Sequence, residues 1–430
     1  MKLPLELETL RDEVRHYARG YNLDFYDVMF ELVDFNEMNE IAAYGGFPTR
    51  YPHWRFGMDF DYLAKGQRYG LQKIYELVIN NDPCYAYLLK ANSYIDQKLV
   101  MAHVYGHSDF FKNNQWFTHT DRRMVDRMAN HASRIRRYAD QYGFDVVENF
   151  IDHILSIEDH IDISSPSRRI ASLKFREHGE KDLLLYFLEK APLEPWQQDV
   201  LWIVREECFY FAPQRQTKIM NEGWASYWHS KILTEKALEN SEVIDYADNH
   251  SSAVVQHPQT INPYKIGIEL YKDIEERWNK KRNEDVLGQN LGMHKIFEVR
   301  KTHNDITFLD TFLTPEFCER LELFVYNYNP RTGNYEITSR KFEDVKEKLL
   351  FSLTNLGVPF IYVQDDNYDG RGELFLKHDH QGIDLDVRQA FAVIENIHFL
   401  WQKTIHLSTL INGQRKLLSF DGSEQKERNI

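Results

Sequence analysis

Residues 99–111, LVMAHVYGHSDFF, decide how this sequence is interpreted. The stretch predicts a helix, and a spacing of four residues places the imidazoles of His103 and His107 on the same face. Two histidines at this spacing can chelate one metal ion, as they do in the H-E-x-x-H zinc hydrolases. Val104 stands where those enzymes carry the glutamate that activates water. The pattern therefore offers two metal ligands but lacks the usual general base, and a pair of structural histidines is the alternative.

A second helix, MNEGWASYWH, supplies the missing kind of ligand. Glu222 and His229 are seven residues apart, nearly two helical turns, so both lie on one face, and the small residues Ala225 and Ser226 leave room between them. Gluzincin hydrolases complete an H-x-x-x-H pair with a glutamate on a downstream helix. His229 is interpreted as a fourth ligand or a catalytic hydrogen-bond donor, against the alternative of a buried structural histidine. Together the two helices predict a zinc site, or one for another divalent metal, with an open position and three ligands: His103, His107 and Glu222.

Further residues are candidates for catalysis. Glu206 and Glu207, in VREECFYF, are candidates for the general base that position 104 does not provide. His131, in MANHAS, is predicted to orient substrate or to stabilise an oxyanion.

Substrate-binding candidates lie on an arginine-rich helix and in two loops. The helix after Thr120 predicts an anion site for a carboxylate or phosphate; the alternative is a solvated face paired with the acidic excess of the chain. His53 belongs to an aromatic loop, YPHWRFG, and His250 to a polar turn. The arginines assigned to substrate binding are Arg122, Arg127 and Arg134.

Composition narrows the classes of function. The 430 residues carry 52 basic and 66 acidic side chains, a net charge of −14, which argues against binding to nucleic acid or to anionic membranes. No apolar run approaches the roughly 20 residues of a membrane span, and the N-terminus lacks the apolar region of a signal peptide. Three scattered cysteines exclude a disulfide framework and predict a cytoplasmic protein. A bound metal would therefore depend on carboxylates and on some of the 18 histidines.

The pattern of elements predicts a mainly α protein. Residues 1–305 are interpreted as a large helical domain with a gluzincin-like core, including amphipathic helix over residues 2–34 and helices over 61–112 that break near Pro83. Residues 306–430 are interpreted as a smaller α+β domain. In that part, helical patterns occupy 341–355 and 384–403, and Asn412-Gly413 predicts a hairpin turn. Short strands are predicted at 324–328, 335–339, 360–363, 374–378, 405–410 and 416–420.

Several long motifs give the sequence a resemblance to a known family. AHVYGHSDFFKNN, MANHASRIRRY, FAPQRQTKIMNEGWASYWH, NPYKIGIELYKDIEERW and GELFLKHDHQGIDL are similar to segments of the stage V sporulation protein R (SpoVR) family. The resemblance implies a role in forming the peptidoglycan of the spore cortex, or in a bacterial stress response. It also implies a serine protein kinase as partner, because that kinase often accompanies the family in stress-linked gene clusters. The family defines no catalytic residues that can be transferred to this chain.

Two functional hypotheses follow. The first is a metal-dependent hydrolase that acts on peptide or amide bonds, with a cell-wall peptide as a candidate substrate. The second is a non-catalytic regulatory or scaffold protein that works with the serine protein kinase, and Val104 in place of glutamate favours it.

Overall fold

The computed structural model of the chain describes residues 3–68, 76–163, 179–247, 262–280 and 291–430. These residues form two compact units, each built from two stretches of sequence: unit 1 comprises Met1–Ala129 with Pro213–Thr354, and unit 2 comprises Asn130–Ala212 with Asn355–Ile430. The grouping differs from the predicted ranges 1–305 and 306–430. Phe308 and Val345 pack in the core of unit 1, whereas Glu180 bridges to Val363 within unit 2.

The elements alternate between long helices and short strands. In chain order the main helices are α1 (Leu5–Gly20), α2 (Phe35–Ala43), α3 (Trp54–Arg68), α4 (Tyr94–Asn113), α5 (Met124–Tyr142), α6 (Phe144–Leu155), α7 (Leu183–Lys190), α8 (Pro195–Gln216), α9 (Lys218–Ile232), α10 (Pro263–Lys280), α11 (Leu291–Thr302), α12 (Asp305–Phe312), α13 (Pro315–Arg320), α14 (Phe342–Leu353) and α15 (Val387–Trp401). The strands are β1 (Val28–Val33), β2 (Glu76–Ile79), β3 (Cys84–Leu89), β4 (Val325–Asn329), β5 (Asn334–Ser339), β6 (Phe360–Tyr368), β7 (Glu373–Asp379), β8 (Ile405–Ile411), β9 (Gln414–Phe420) and β10 (Gln425–Asn429).

Unit 1 is centred on α4 and α9. Helix α4 begins at a capping box in which the side chains of Ser93 and Asp96 each bond the backbone of the other. From Val100 to Phe111 every residue of α4 is buried, so this helix runs through the core and not along a surface. Helix α9 is similarly enclosed, and Trp224 and Trp228 are among the largest fully buried side chains.

Unit 1 contains a three-stranded sheet in segments for which the sequence predicted helix. Its order is β1-β3-β2, with β1 parallel and β2 antiparallel to β3. The predictions of helix over residues 2–34 and over 61–112 were therefore wrong at these three strands. Runs such as VMFELV, ELVI and CYAYLL are four to six residues long. Apolar runs this short do not distinguish a buried strand from a buried helix by periodicity alone.

Unit 2 contains a five-stranded sheet in the order β10-β9-β8-β7-β6. Strands β7 and β8 run parallel, and α15 connects them, whereas the other pairs are antiparallel. The predicted turn at Asn412-Gly413 joins β8 to β9, and both residues adopt positive φ. The predicted fold class, mainly α with a smaller C-terminal α+β part, is confirmed. Among the described helices, none combines the length and apolar character needed to cross a membrane.

Candidate metal centre

The side chains of His103, His107 and Glu222 meet where α4 packs against α9. One ligand atom from each of the three lies within 4.8 Å of the other two. Glu222 Oε2 is 3.6 Å from His103 Nε2 and 3.5 Å from His107 Nε2. These separations are longer than a good hydrogen bond. They are slightly longer than the distance of about 3.3–3.4 Å between two ligands of one tetrahedral zinc ion whose bonds are about 2.0–2.1 Å long.

The second nitrogen of each ring points away from this meeting point. His107 Nδ1 lies 2.9 Å from the amide oxygen of Asn221, to which its N–H donates. His107 Nε2 therefore carries a lone pair in the neutral ring, and it faces the Glu222 carboxylate. His103 Nδ1 lies 2.9 Å from His229 Nδ1. An outer partner on the second ring nitrogen is the usual arrangement behind a metal-binding histidine.

The hydrogen bonding of the Glu222 carboxylate indicates that the three residues fit a divalent metal. Glu222 Oε2 is buried and makes no hydrogen bond to the described residues, although two ring nitrogens lie within 3.6 Å of it. A buried carboxylate oxygen without a donor is destabilising unless a cation compensates it. Imidazole nitrogen and carboxylate oxygen are both ordinary zinc ligands. The donor set and its spacing therefore suit zinc.

The protonation states are those that a metal requires. Burial, together with the nearby His103, lowers the pKa of His107 to about 4, so this ring is neutral at pH 7. Burial alone would raise the pKa of Glu222, but the interactions with His103 and His107 outweigh it and lower the pKa overall. A neutral imidazole and an ionised carboxylate are ready to bind a cation without losing a proton first.

Close helix packing brings the ligands together. A Cβ at Gly106, between the two histidines of α4, would lie 2.7 Å from the Cα of Ala225 on α9. Ala225 lies between Glu222 and His229, so the small residue singled out from the sequence is the contact point of the two helices. On its other side, α9 approaches α10 closely at Gly223, where a Cβ would lie 2.4 Å from the backbone of Gly267. Larger residues at these positions would separate the helices that carry the ligands.

Two buried aspartates fix α9 in place. Asp305 accepts hydrogen bonds from the backbone N–H groups of Ile219 and Met220 at 2.8 and 2.9 Å, which caps the start of α9 from a distant part of the chain. Asp109 of α4 accepts a hydrogen bond of 2.8 Å from the indole N–H of Trp224. Together these bonds set the start of α9 and its rotation against α4.

The other predicted catalytic residues are not among the three whose ligand atoms converge. His229 contacts His103 and is not one of the three residues whose ligand atoms converge. His131, Glu206 and Glu207 belong to unit 2, where the His131 ring, only 1% exposed, lies between the two carboxylates at 3.1 Å from each. Burial alone would lower the pKa of His131, but the hydrogen bonds with both glutamates outweigh it, and the pKa is raised. A catalytic role for these residues stays a prediction.

The three arginines predicted to bind substrate make contacts within the protein. Arg122 donates to the carbonyl oxygens of Phe111 and Phe117 at 2.9 and 3.0 Å. Arg127 pairs with Asp121 at 2.7 Å, and Arg134 donates from Nε and Nη2 to the two carboxylate oxygens of Asp199. Substrate binding by these arginines stays a prediction.

Of the two histidines assigned to substrate binding, His53 lies within the described residues. His53 is buried, accepts a hydrogen bond of 3.2 Å from the backbone N–H of Arg55, and packs against the rings of Trp54 and Phe56. His250 lies outside the described residues. A role in substrate binding stays a prediction for both.

Sequence reasoning missed three residues around the centre. Asn221 holds His107, Asp305 caps α9, and the ring of Tyr264 stacks on His103 with centroids 6.2 Å apart. A signal for Asn221 was present, because Asn-Glu is a polar pair in an otherwise apolar stretch of helix. Asp305 lies more than 80 residues from the helix it caps, so no local sequence pattern predicts this capping contact.

Comparison with known proteins identifies the family. The sequence model described as "SpoVR like protein" matches residues 3–173 and 166–358. The chain is 30% identical to "Uncharacterized protein YcgB" of Escherichia coli (strain K12) over an alignment of 461 residues, which covers 92% of this chain and 90% of that protein. No solved structure matches the chain significantly, so no fold likeness supports a gluzincin relationship. The family match spans well over half of the sequence, and the chain therefore belongs to the SpoVR family.

Proposed function

We propose that this chain is a metal-dependent hydrolase that holds zinc, or another divalent metal, through His103, His107 and Glu222. One observation carries the proposal. Two ring nitrogens and a carboxylate oxygen face one another at ligand spacing, and the buried oxygen has no hydrogen-bond donor among the described residues. A divalent cation between them would satisfy all three atoms at once.

Three protein ligands leave one position of a tetrahedral site open. A zinc ion held in this way supplies Lewis acidity and lowers the pKa of a bound water to about 7. Val104 is fully buried in the apolar core of unit 1, so the position after His103 contributes no base. We propose Glu206 or Glu207 as the general base, His131 as a residue that orients substrate or stabilises developing negative charge, and His229 as a residue that acts through its contact with His103.

The substrate class is proposed from the family resemblance. The resemblance that links SpoVR proteins to the spore cortex favours a peptide or amide bond of the cell wall in a sporulating or stressed cell. We propose that Arg122, Arg127, Arg134, His53 and His250 contribute to binding such a substrate. A cytoplasmic location is proposed on the scarcity of cysteine in the sequence.

A regulatory or scaffold role with a serine protein kinase is the second candidate. The buried valine at position 104 favours it, because the usual water-activating residue is replaced by a core residue. In this case the kinase would copurify with the chain, and the complex would survive E222A but fail when Arg136 and Arg137, both exposed on α5, are reversed in charge.

Metal binding and peptidase activity test the proposal together. Apo protein is titrated with Zn²⁺, and the loaded protein is incubated with peptide and amide substrates, beside E222A and the matched control E276Q on α10, whose carboxylate pairs with Lys280. The proposal expects zinc binding and hydrolysis by the wild type and E276Q, and neither by E222A. Wild-type protein that binds no divalent metal would overturn it.

A further inference from the structure

A hydrogen-bonding side chain stands behind each of the two candidate ligand imidazoles. We infer that Asn221 and His229 are positioning residues, which hold His107 and His103 with their Nε2 lone pairs directed at the metal position. The inference rests on the proposed function, since it describes the outer partners of the same site. It assigns His229 a place behind the ligands, and not the place of a fourth ligand.

The geometry at His229 supports this assignment. Its Nδ1 lies 2.9 Å from His103 Nδ1, and the two rings are 5.1 Å apart with their planes tilted by 39°. At that distance one of the two Nδ1 atoms must carry the hydrogen, because two lone pairs would repel each other. When neutral His103 offers Nε2 as a ligand, its hydrogen is on Nδ1, so Nδ1 of His229 is the acceptor. The nitrogen of His229 nearest the site is thereby occupied.

Asn221 plays the matching part for His107. Its amide oxygen accepts from Nδ1 at 2.9 Å, which leaves Nε2 free to face Glu222. Both outer partners are buried, with 8% of Asn221 and 4% of His229 exposed. Helix α9 therefore supplies one ligand and both outer partners, and α4 supplies the two rings that they orient.

Neither of these outer partners is a carboxylate, and this has a chemical consequence. A carboxylate behind a ligand imidazole draws the N–H hydrogen toward itself and raises the basicity of the ligand, which strengthens metal binding and lowers the positive charge felt by a bound water. An amide oxygen and a neutral imidazole do this less. A metal at this site would therefore polarise a bound water more strongly. This suits a chain in which valine stands at position 104 in place of the water-activating glutamate.

Metal affinity, measured by competition with a chromophoric chelator and by the visible spectrum of the Co²⁺ form, tests the inference. H229A and N221A are expected to weaken Co²⁺ binding by about 10–100-fold, the range for loss of an outer partner. H229Q, whose amide oxygen can still accept from His103 Nδ1, is expected to stay within about threefold of the wild type, and N221D is expected to bind more tightly. H378Q, a buried histidine in unit 2 that bonds Thr409, is the matched control and should not change the affinity.

The outcomes separate this inference from the proposed function. Wild-type protein that binds neither Co²⁺ nor Zn²⁺ overturns the metal site itself. Wild-type binding that H229A and N221A leave unchanged overturns the positioning roles only, and so does H229Q binding as weakly as a folded H229A. Circular dichroism checks that each variant is folded. If H229A is not folded, H229Q and N221D decide the matter, because weaker binding by both contradicts the assignment.

Discussion

Two clusters of histidine and glutamate in this protein differ in how many hydrogen-bond donors their carboxylates have. In unit 1, two imidazoles and the carboxylate of Glu222 meet at about ligand spacing, and the carboxylate oxygen has no donor among the described residues. In unit 2, one imidazole, His131, lies between Glu206 and Glu207 and can donate an N–H to each. The first cluster has too few donors, whereas the second supplies its own.

The contrast shows what decides whether such a cluster needs an added cation. A single imidazole between two carboxylates can take up a proton and supply the positive charge itself, and the raised pKa of His131 favours this. In the cluster of unit 1, His103 and His107 each donate their Nδ1 hydrogen to an outer partner. Their Nε2 atoms therefore present only lone pairs to Glu222. We therefore expect the cluster of unit 1 to bind metal and the cluster of unit 2 to be complete without it.

The largest effect is expected from removing a ligand in unit 1. E222A or H103A takes away one of three ligands, so divalent metal affinity should fall by more than the about 100-fold that outer partners contribute. Equilibrium dialysis against Zn²⁺ measures this. H131A is the control from the other cluster and should bind metal like the wild type; equal losses in H131A and E222A would erase the distinction between the clusters.

The next effect concerns the stability of the second cluster. H131A leaves two glutamates facing each other without their shared donor, and removing one member of a buried pair destabilises by about 3 kcal/mol. Urea unfolding of apo protein measures the loss of unfolding free energy. A change in the free energy of unfolding below about 0.5 kcal/mol, the range of ordinary surface substitutions, would show that the contact of His131 with the two glutamates contributes nothing to stability.

The contribution of His131 should also depend on pH with a defined sign. Its pKa is raised in the folded protein above the unfolded value of about 6.5. The stabilisation is therefore fully present below about pH 6.5 and is lost as the pH rises through the folded pKa. The stability difference between wild type and H131Q should shrink between mildly acidic and alkaline pH, and a difference that grows in this direction would contradict the assignment of charge.

A smaller effect is expected at the contact of α4 with α9. G106A places a Cβ at 2.7 Å from the Cα of Ala225, and backbone atoms cannot give way as a side chain can. Overpacking of this kind destabilises by about 1–3 kcal/mol, and it should weaken metal binding by moving the ligands apart. The control is G57A on α3, where a Cβ meets nothing within 4 Å and a gain of about 0.5–1 kcal/mol is expected. Unchanged metal affinity in a folded G106A would show that the close approach does not set the site.

The smallest effect is expected at the cap of α9. D305A removes the acceptor for the N–H groups of Ile219 and Met220, which should lower the free energy of unfolding by about 1 kcal/mol. Metal affinity should fall only by about threefold, because the bonds lie more than half a helical turn before Glu222. T314A removes the corresponding cap of α13 and should not alter metal binding. A larger loss of affinity in D305A than in E222A would reverse the expected order.

The sequence revealed the pieces of the candidate site that depend on helical spacing. His103 and His107 share a helix face because they are four residues apart, and Glu222 lies on the same face of its helix as small residues. The structure brings the three side chains together, and their role as ligands stays a prediction. The fold class and strands β4 to β9 of the C-terminal part were likewise predicted, since turns and alternation mark them. Strand β10 was not predicted, because its sequence, QKERN, is polar throughout. Short buried strands such as Cys84–Leu89 were not, because apolar runs of that length fit either kind of element.

Partners distant in the chain were beyond reach. Nothing in the local pattern pairs His131 with glutamates 75 and 76 residues away, or places Asp305 at the start of α9. Each of these contacts depends on tertiary packing of helices that are far apart in sequence. Gly106 shows the same limit, since a glycine within a helix predicts weakness there, and only the packing reveals its contact with Ala225.

The metal content of untagged protein tests the central claim most directly. Wild type, E222A and H131A are purified without a histidine tag, incubated with Zn²⁺, freed of excess ion and measured by elemental analysis. The account predicts about one zinc ion per chain in the wild type and in H131A, and less than about a tenth of that in E222A. Wild-type protein that retains no more metal than E222A would contradict it.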